Sequence, residues 1–410
     1  MSAVREKIIE RIRNEGPVTF REFMRMALYE PGAGYYTRPQ TEIGRAGDFY
    51  TGPHLHAAFG WMLAKQVEEM WLLLGKGPLE VTEQGEGKGY LAKDILDRLK
   101  DRNAPLYDAI GYRLVELNPG LREFQEELLR GHAGKVSWAD SLKSGRKAAS
   151  APGVKGVLLA NELLDAFPVH LVQMHNGAVR EVRVGFESGA FTEVLASPST
   201  PEIEEYLDLF VPESVPDGEA APAGEPAGFS DERSSPSAGS SRMLPDGYRT
   251  EVNLEVRGWL REVSDVLGQG FIIAVDYGYP SWDYYGSARD RGTLLGYYRH
   301  RVVEDPYMNP GEMDITAHVN FSALNVFGRA AGFKCAGFCP QGTYLVSLGI
   351  EEVLAGLGQD DIMKLKGLLL PGTMGETHKV MALYKGPDAG GAGKVPELRG
   401  FKMRNQCRFL

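Results

Sequence analysis

Apolar residues recur along this chain at two spacings, and the changes between them divide it. Met1 to Ile12 is amphipathic, with Glu and Arg set between apolar positions. A second helix is predicted over Phe20 to Leu28 and a third over Leu55 to Leu74, separated by a Gly-, Tyr- and Pro-rich loop, Pro31 to Pro53. From 78 to 161 short apolar strands alternate with helical segments. Pro78 to Thr82 reads as a strand and Tyr90 to Leu99 as a helix, with Leu91, Ile95 and Leu99 on one face. Gly111 to Glu116 is a strand and Leu121 to Leu129 a helix; Val136 to Trp138 and Val154 to Ala160 are further strands. Such alternation predicts an α/β fold with a mostly parallel, Rossmann-like sheet and helices on both faces.

Pro168 to Val194 breaks that rhythm with a period of two (Val169, Leu171, Gln173; Val182, Val184, Phe186), which predicts a β-hairpin insertion. Pro212 to Pro245 is rich in Pro, Gly, Ser, Ala and Glu, and is expected to be a disordered loop. The sheet pattern then resumes. Helices are predicted over Glu251 to Leu267 and Asn320 to Ala331, with strands at Phe271 to Asp276, Phe333 to Phe338 and Lys379 to Tyr384. The expected organisation is an N-terminal helical and loop cap (1–75), a first half-core (76–166), an insertion (167–249), a second half-core (250–386) and a tail (387–410).

The chain has 410 residues, 43% hydrophobic and 24% charged, so it can bury a large core. A net charge of −10 argues against a nucleic-acid partner, which needs a basic face, and suits a cationic ligand. No apolar run reaches membrane-spanning length, so no membrane partner is expected. Three cysteines, Cys335, Cys339 and Cys407, do not make a disulfide framework. Buried thiols and a cytoplasmic location are therefore expected. The N-terminus reads as neither a signal nor a transit peptide.

The chemistry concentrates at predicted strand ends. Glu83-Gln-Gly85-Glu-Gly87-Lys-Gly89 follows the first core strand and opens a helix. A dinucleotide loop would need a glycine at Tyr90, so the nicotinamide-dehydrogenase reading is disfavoured. Glu83 and Glu86 would repel a pyrophosphate but not a cationic nucleoside, and S-adenosyl-L-methionine fits best. Glu116, ending the next strand, can accept both ribose hydroxyls of an adenosine; a solvated acid is the plainer reading. Asp140 stands where an adenine amino group needs an acceptor. Asn161-Glu162-Leu-Leu-Asp165 follows the strand at 154–160, where a methyl acceptor would meet the donor. Two acids three residues apart can fork a guanidinium, although a helix cap with a first-turn acid explains the same pattern. His54 and His56 could form half a metal site, but no further ligands lie near in sequence, and no metal is expected. His300 and His318 are candidate bases or hydrogen-bonding anchors. Tyr35, Tyr36 and Phe49 could form an aromatic lid over a sulfonium, or pack a loop.

Several motifs resemble one family when taken together and in order. They are Gly34-Tyr-Tyr36, Gly47-Asp48-Phe49-x-Thr51-x-Pro53, Phe59-Gly60, the Glu83 to Gly89 loop and Val115-Glu116-x-x-Pro119-x-Leu121. Further on come Asn161-Glu162-x-x-Asp165-Ala-x-Pro168-Val169, Asp276-Tyr-Gly278, Arg291-Gly-Thr-Leu294 and His300. Pro310-Gly311-x-x-Asp314-Ile-Thr-Ala-His318-Val-x-Phe321 and Gln341 complete the set. The chain resembles the MidA family of class I S-adenosyl-L-methionine methyltransferases from about residue 15 to residue 385. The resemblance implies that Glu83, Gly85, Gly87 and Glu116 bind the cofactor; Gly89, Asp140 and Asn161 are expected at the same site from their places at the loop and strand ends. It sets Glu162 and Asp165 beside the acceptor, and Asp48, Asp276, Asp314 and His318 around the cleft. Mitochondrial members symmetrically dimethylate an arginine of a respiratory complex I subunit, which implies a protein substrate here. Gln84 and Glu86 replace the family's usual Leu and Pro, and His54 and His56 its Glu and Ser. A methyltransferase of small molecules or other macromolecules is the nearest rival. A client-binding assembly factor with vestigial activity is a more distant one.

Overall fold

The computed structural model describes residues 2–38, 52–146, 153–212, 244–299, 301–354, 356–387 and 394–410. Asp48, Phe49, His300 and nearly all of the loop expected over 212–245 lie outside the described residues.

The core is an eight-stranded sheet in which seven strands form one path, β1 (Leu79–Gln84), β2 (Ile110–Val115), β3 (Val136–Ala139), β4 (Val154–Asn161), β5 (Leu267–Tyr279), β6 (Lys334–Pro340) and β7 (His378–Lys385), while Val319–Asn320 pairs with the end of β5 alone. Across the sheet they run β3-β2-β1-β4-β5-β7-β6. All neighbours are parallel except those of β7, which runs against both β5 and β6. The middle of the sheet is buried on both faces, as expected of strands with continuous apolar runs: Val157 to Ala160 in β4 and Phe271 to Val275 in β5 are at most 2% exposed. Helices Ala58–Leu73 and Tyr90–Arg102 cover one face through Met62, Val67, Ile95 and Leu96. Helices Glu255–Val266 and Phe321–Ala330 cover the other through Trp259, Leu260, Phe321 and Leu324.

From β1 the chain moves to β2 and β3 on one side, then returns to lay β4 on the other. A crevice opens at the carboxyl edge wherever strand order reverses in this way.

The period-two stretch forms more than a hairpin. Strands His170–His175, Ala178–Glu187 and Ala190–Ala196 join Val18–Thr19 and Arg249–Val252 in a five-stranded antiparallel sheet. An isolated hairpin is marginally stable in water. Here Leu171, Val182 and Val184 are buried against Phe20, Phe23 and Met24 of the N-terminal helix Phe20–Tyr29. Glu251 therefore lies in a strand, and the helix expected from that position starts at Glu255. Glu251 is buried and accepts from the Thr293 amide (2.8 Å), the Thr293 hydroxyl (2.9 Å) and the Tyr284 hydroxyl (3.0 Å). That pairing accounts for the Arg291-Gly-Thr-Leu294 motif.

Two of the three cysteines are not thiols, contrary to expectation. Cys335, in β6, and Cys407, in the tail, form a disulfide across 72 residues, and only Cys339 is a buried thiol. The tail folds back with Phe401 buried against Tyr344, ring centroids 5.2 Å apart, and this return brings Cys407 to β6. The cysteine count therefore carries no argument about compartment. Among the described residues no helix is long and apolar enough to cross a membrane. Thiol titration of the denatured chain without reductant should find one reactive cysteine; three would contradict the Cys335–Cys407 pairing.

Candidate active site

The glycine loop leaves β1 at Gln84 with Gly85, Gly87 and Gly89 at φ of +76°, +53° and +77°. L-residues seldom adopt this region, which is why the glycines step by two. A Cβ on Gly85 would also meet Leu163 Cδ1 at 3.0 Å. Gly89 caps the helix Tyr90–Arg102 without any side-chain hydrogen bond, and it stands behind the loop. Gln125, fully buried, fixes the loop from the side. Its Nε2 donates to Gly87 O (2.7 Å) and to Glu116 Oε2 (3.2 Å), while its Oε1 accepts from Trp138 Nε1 (2.8 Å). Gln84, one of the two unusual loop residues, has a structural use: its Oε1 accepts from Trp259 Nε1 at 3.0 Å.

The loop forms one wall of a cavity of about 300 Å³ at the crevice. Glu83, Gly85, Gly87, Glu116, Asp140, Asn161 and Glu162 all line it; Gly89, Asp165 and His318 do not. Glu83 accepts from the Tyr112 hydroxyl at 2.5 Å, and burial pushes its carboxyl up to about 8. Glu116 accepts from the Asn118 amide (2.6 Å) and is raised by burial. Asp140 sits at the exposed rim, 3.2 Å from Arg122. Asn118 donates to Tyr36 O (3.1 Å) and Arg38 O (2.9 Å), which draws the Tyr36 segment over the cavity. Tyr36 lines the cavity, whereas Tyr35 is fully buried in the N-terminal core, so the expected aromatic lid keeps only Tyr36 among the described residues. His54 also lines it, and burial lowers its imidazole to about 4. His56 Nδ1 instead accepts from the Ala58 amide at 3.0 Å. Among the described residues no group of three or more His, Cys, Asp or Glu could hold a metal ion.

Opposite the loop, β4 ends at Asn161, and Glu162 turns the chain with φ +49°. That is a strained conformation for a residue with a side chain, of the kind that clusters at functional sites. Its amide donates to Val275 O at 2.8 Å, which holds the turn. Glu162 Oε1 lies 3.4 Å from the Gly52 amide and 3.9 Å from His378 Nε2. Behind it stand more acids. Asp165 accepts a short hydrogen bond from the Tyr277 hydroxyl, while its Oδ1 is buried without a partner. Asp276 accepts from the Leu164 (3.0 Å) and Asp165 (3.3 Å) amides, and Asp314 from the Tyr36 hydroxyl (2.8 Å). Burial, then Asp165, pushes Glu162 up to about 8; burial takes Asp165 to about 6 and, with Asp165 and Glu162, holds Asp276 well above its ordinary range. Asp165 is thus one layer behind Glu162 rather than beside it in the wall.

His318 stacks near Tyr277 and Tyr279, with centroids 5.2 and 5.4 Å away, and burial lowers it to about 4. It is a packed aromatic anchor. Tyr277 and His378 were missed as site residues. The antiparallel β7 begins where β5 ends, and Tyr277 pairs with His378 in the register. An acid-ended strand facing a His-led one was the available signal.

These shifts set a pH dependence. A carboxyl raised in the folded protein adds stability that is complete below about 4.5 and is lost as pH rises through the folded value. For Glu83 and Glu162 the loss is complete only above about 8. His318 and His378, lowered to about 4, work in the opposite sense but only below the ordinary value of 6.5. Between about pH 7 and 8.5 the Tm of the ligand-free protein should therefore fall, and Glu162→Gln should flatten the fall. A Tm that rises over this range in differential scanning fluorimetry would contradict the burial of these acids.

Known proteins resemble this chain in sequence and in fold. Residues 62–339 match the family described as "Putative S-adenosyl-L-methionine-dependent methyltransferase". The mitochondrial protein arginine methyltransferase NDUFAF7 of Mus musculus is 30% identical over 84% of this chain and 73% of its own. Its Drosophila melanogaster homologue is 27% identical over 94% of this chain and 86% of its own. A crystal structure from Burkholderia thailandensis, bound to S-adenosyl-homocysteine, has a TM-score of 0.81 at 29% identity, covering 100% of this chain and 96% of that one. The strand order with a single reversed strand, the glycine loop and the matched span agree, and the chain belongs to this family of S-adenosyl-L-methionine-dependent methyltransferases.

Proposed function

We propose that the chain transfers methyl groups from S-adenosyl-L-methionine to a protein side-chain nitrogen, that of arginine, with symmetric dimethylation as the outcome. The observation that carries this reading is Glu162, held at φ +49° in the cavity wall opposite the glycine loop and backed by Asp165, Asp276 and Asp314. The names of the mouse and fly relatives, both protein arginine methyltransferases, support the acceptor class. A respiratory complex I subunit is the proposed client, on the resemblance alone.

The residues present fit the cofactor. Gly85 and Gly87 leave a bare backbone at the cavity, Glu116 offers acceptors for ribose hydroxyls, and Asn161 Oδ1 is buried without a hydrogen-bond partner. When bound, the cofactor supplies an electrophilic methyl group on a sulfonium. Glu162 orients the acceptor nitrogen by a charge-assisted hydrogen bond and takes the proton that the nitrogen loses on alkylation. Its raised carboxyl is a stronger base than an exposed one, which suits that step. Asp165 and Asp276, each anchored to backbone or Tyr277, are acids that a cation beside Glu162 draws toward their ionised form, which favours that cation.

The test is labelled-methyl transfer into lysate from cells lacking this protein, followed by identification of the labelled residue. Label on arginine supports the reading; label confined to small molecules or to other residue types would overturn it. Glu162→Gln should slow transfer by about 100-fold or more while changing cofactor affinity by less than about threefold. Unchanged transfer would remove Glu162 from the proposed role.

A further inference from the structure

Glu86 is the second unusual loop residue, and unlike Gln84 its side chain serves no visible structural purpose. It is 7% exposed, lines the cavity, and both carboxylate oxygens are buried without a hydrogen-bond partner. Its backbone carbonyl accepts from the Gly89 amide at 2.9 Å, a turn that does not need an acidic side chain. Burying an unpaired carboxyl is costly, and an apolar residue would satisfy the fold at lower free energy. The groups facing it are mostly acidic: Glu83 from β1, Glu116 from the end of β2 and the Tyr112 hydroxyl of β2, against its own backbone amide and Arg122 of the helix Pro119–Leu128, which favour its ionised form. Arg122 is itself paired with Asp140. On the loop itself Lys88 leans over Phe124, 5.7 Å from the ring centre. An unpaired acid in this position is complementary to a cation inside the cavity.

The donor and product of methyl transfer differ by one charge at nearly constant shape. S-adenosyl-L-methionine carries a sulfonium, and S-adenosyl-homocysteine a neutral thioether. We propose that Glu86 is a specificity-determining residue that makes the cavity favour the charged donor over the demethylated product, so that product leaves readily. This rests on the reading that the cavity holds the cofactor. In the ligand-free protein, burial together with Glu116 and Glu83 holds the Glu86 carboxyl well above its ordinary range. Binding of the cationic donor favours its ionised form, so donor binding releases a proton and strengthens as pH rises. Product shares the donor's α-ammonium but has no sulfonium, so it lacks the sulfonium's part of that coupling. Glu83 and Glu116 titrate in the same cavity, but they remain in a Glu86 variant and form a common background.

Isothermal titration of the full-length protein and its Glu86→Gln variant with each ligand, at pH 7 and 8.5, tests this. The wild type should prefer the donor by about tenfold more than the variant does, through loss of donor affinity, with product affinity unchanged within about twofold. The gap should widen at pH 8.5. Titration in two buffers of different ionisation heat should show fewer protons released by the variant on donor binding. Glu86→Leu, which removes the charge without an amide, should give the same ratio and secures the test if the Gln variant folds poorly. An equal loss for both ligands, or an unmoved ratio, would overturn the inference while leaving the cavity reading intact. Failure of the wild type to bind either ligand would overturn both.

Discussion

The reversal of strand order at β1 is the constraint on which the rest of the site depends. With β2 on one side of β1 and β4 on the other, the loops leaving the ends of β1 and β4 diverge and cannot cover the carboxyl edge. The cavity lies there, with the glycine loop as one wall and the Asn161–Glu162 turn as the other. Both walls need backbone that ordinary residues resist. Three glycines supply it on one side; on the other Glu162 takes the left-handed conformation itself, held by the Val275 carbonyl. Gln125 ties Gly87, Glu116 and Trp138 into one hydrogen-bonded unit.

The second feature is the concentration of buried acid. Glu83, Glu86 and Glu116 stand on the glycine-loop side, and Glu162, Asp165, Asp276 and Asp314 on the other. In the ligand-free protein burial keeps several of them more protonated than their ordinary values imply, which opposes stability at neutral and alkaline pH. A cationic ligand offsets that opposition. A methyltransferase of basic side chains has two cations to attract, the donor and the acceptor, and one acidic group faces each side of the crevice. The structure thus gives up folding stability to hold charges where positive ligands meet.

Much of the sheet was legible because each strand and its following turn is local. The apolar runs of β1, β2, β4 and β5 sit within a few residues of their expected bounds, and the glycine loop announced itself through spacing alone. What the sequence hid were partners brought together over long separations. Cys335 meets Cys407 only because the tail packs Phe401 back onto the sheet. Glu251 looked like a helix start, yet it closes a sheet that the N-terminus completes through Val18 and Thr19. His378 joins Glu162 across the antiparallel β7, a reversal that no local pattern signals. Gln84 and Glu86 looked alike as departures, and only the structure separates the side chain bonded to Trp259 from the carboxylate buried without a hydrogen-bond partner.

The central claim is that one cavity at the β1–β4 crevice holds the donor between the glycine loop and Glu162. A crystal structure of this chain soaked with S-adenosyl-homocysteine tests it most directly. The ribose hydroxyls should lie on Glu116, the homocysteine backbone along Gly85 to Gly87, and the thioether facing Glu162. Ligand density elsewhere, or a thioether turned away from Glu162, would contradict it.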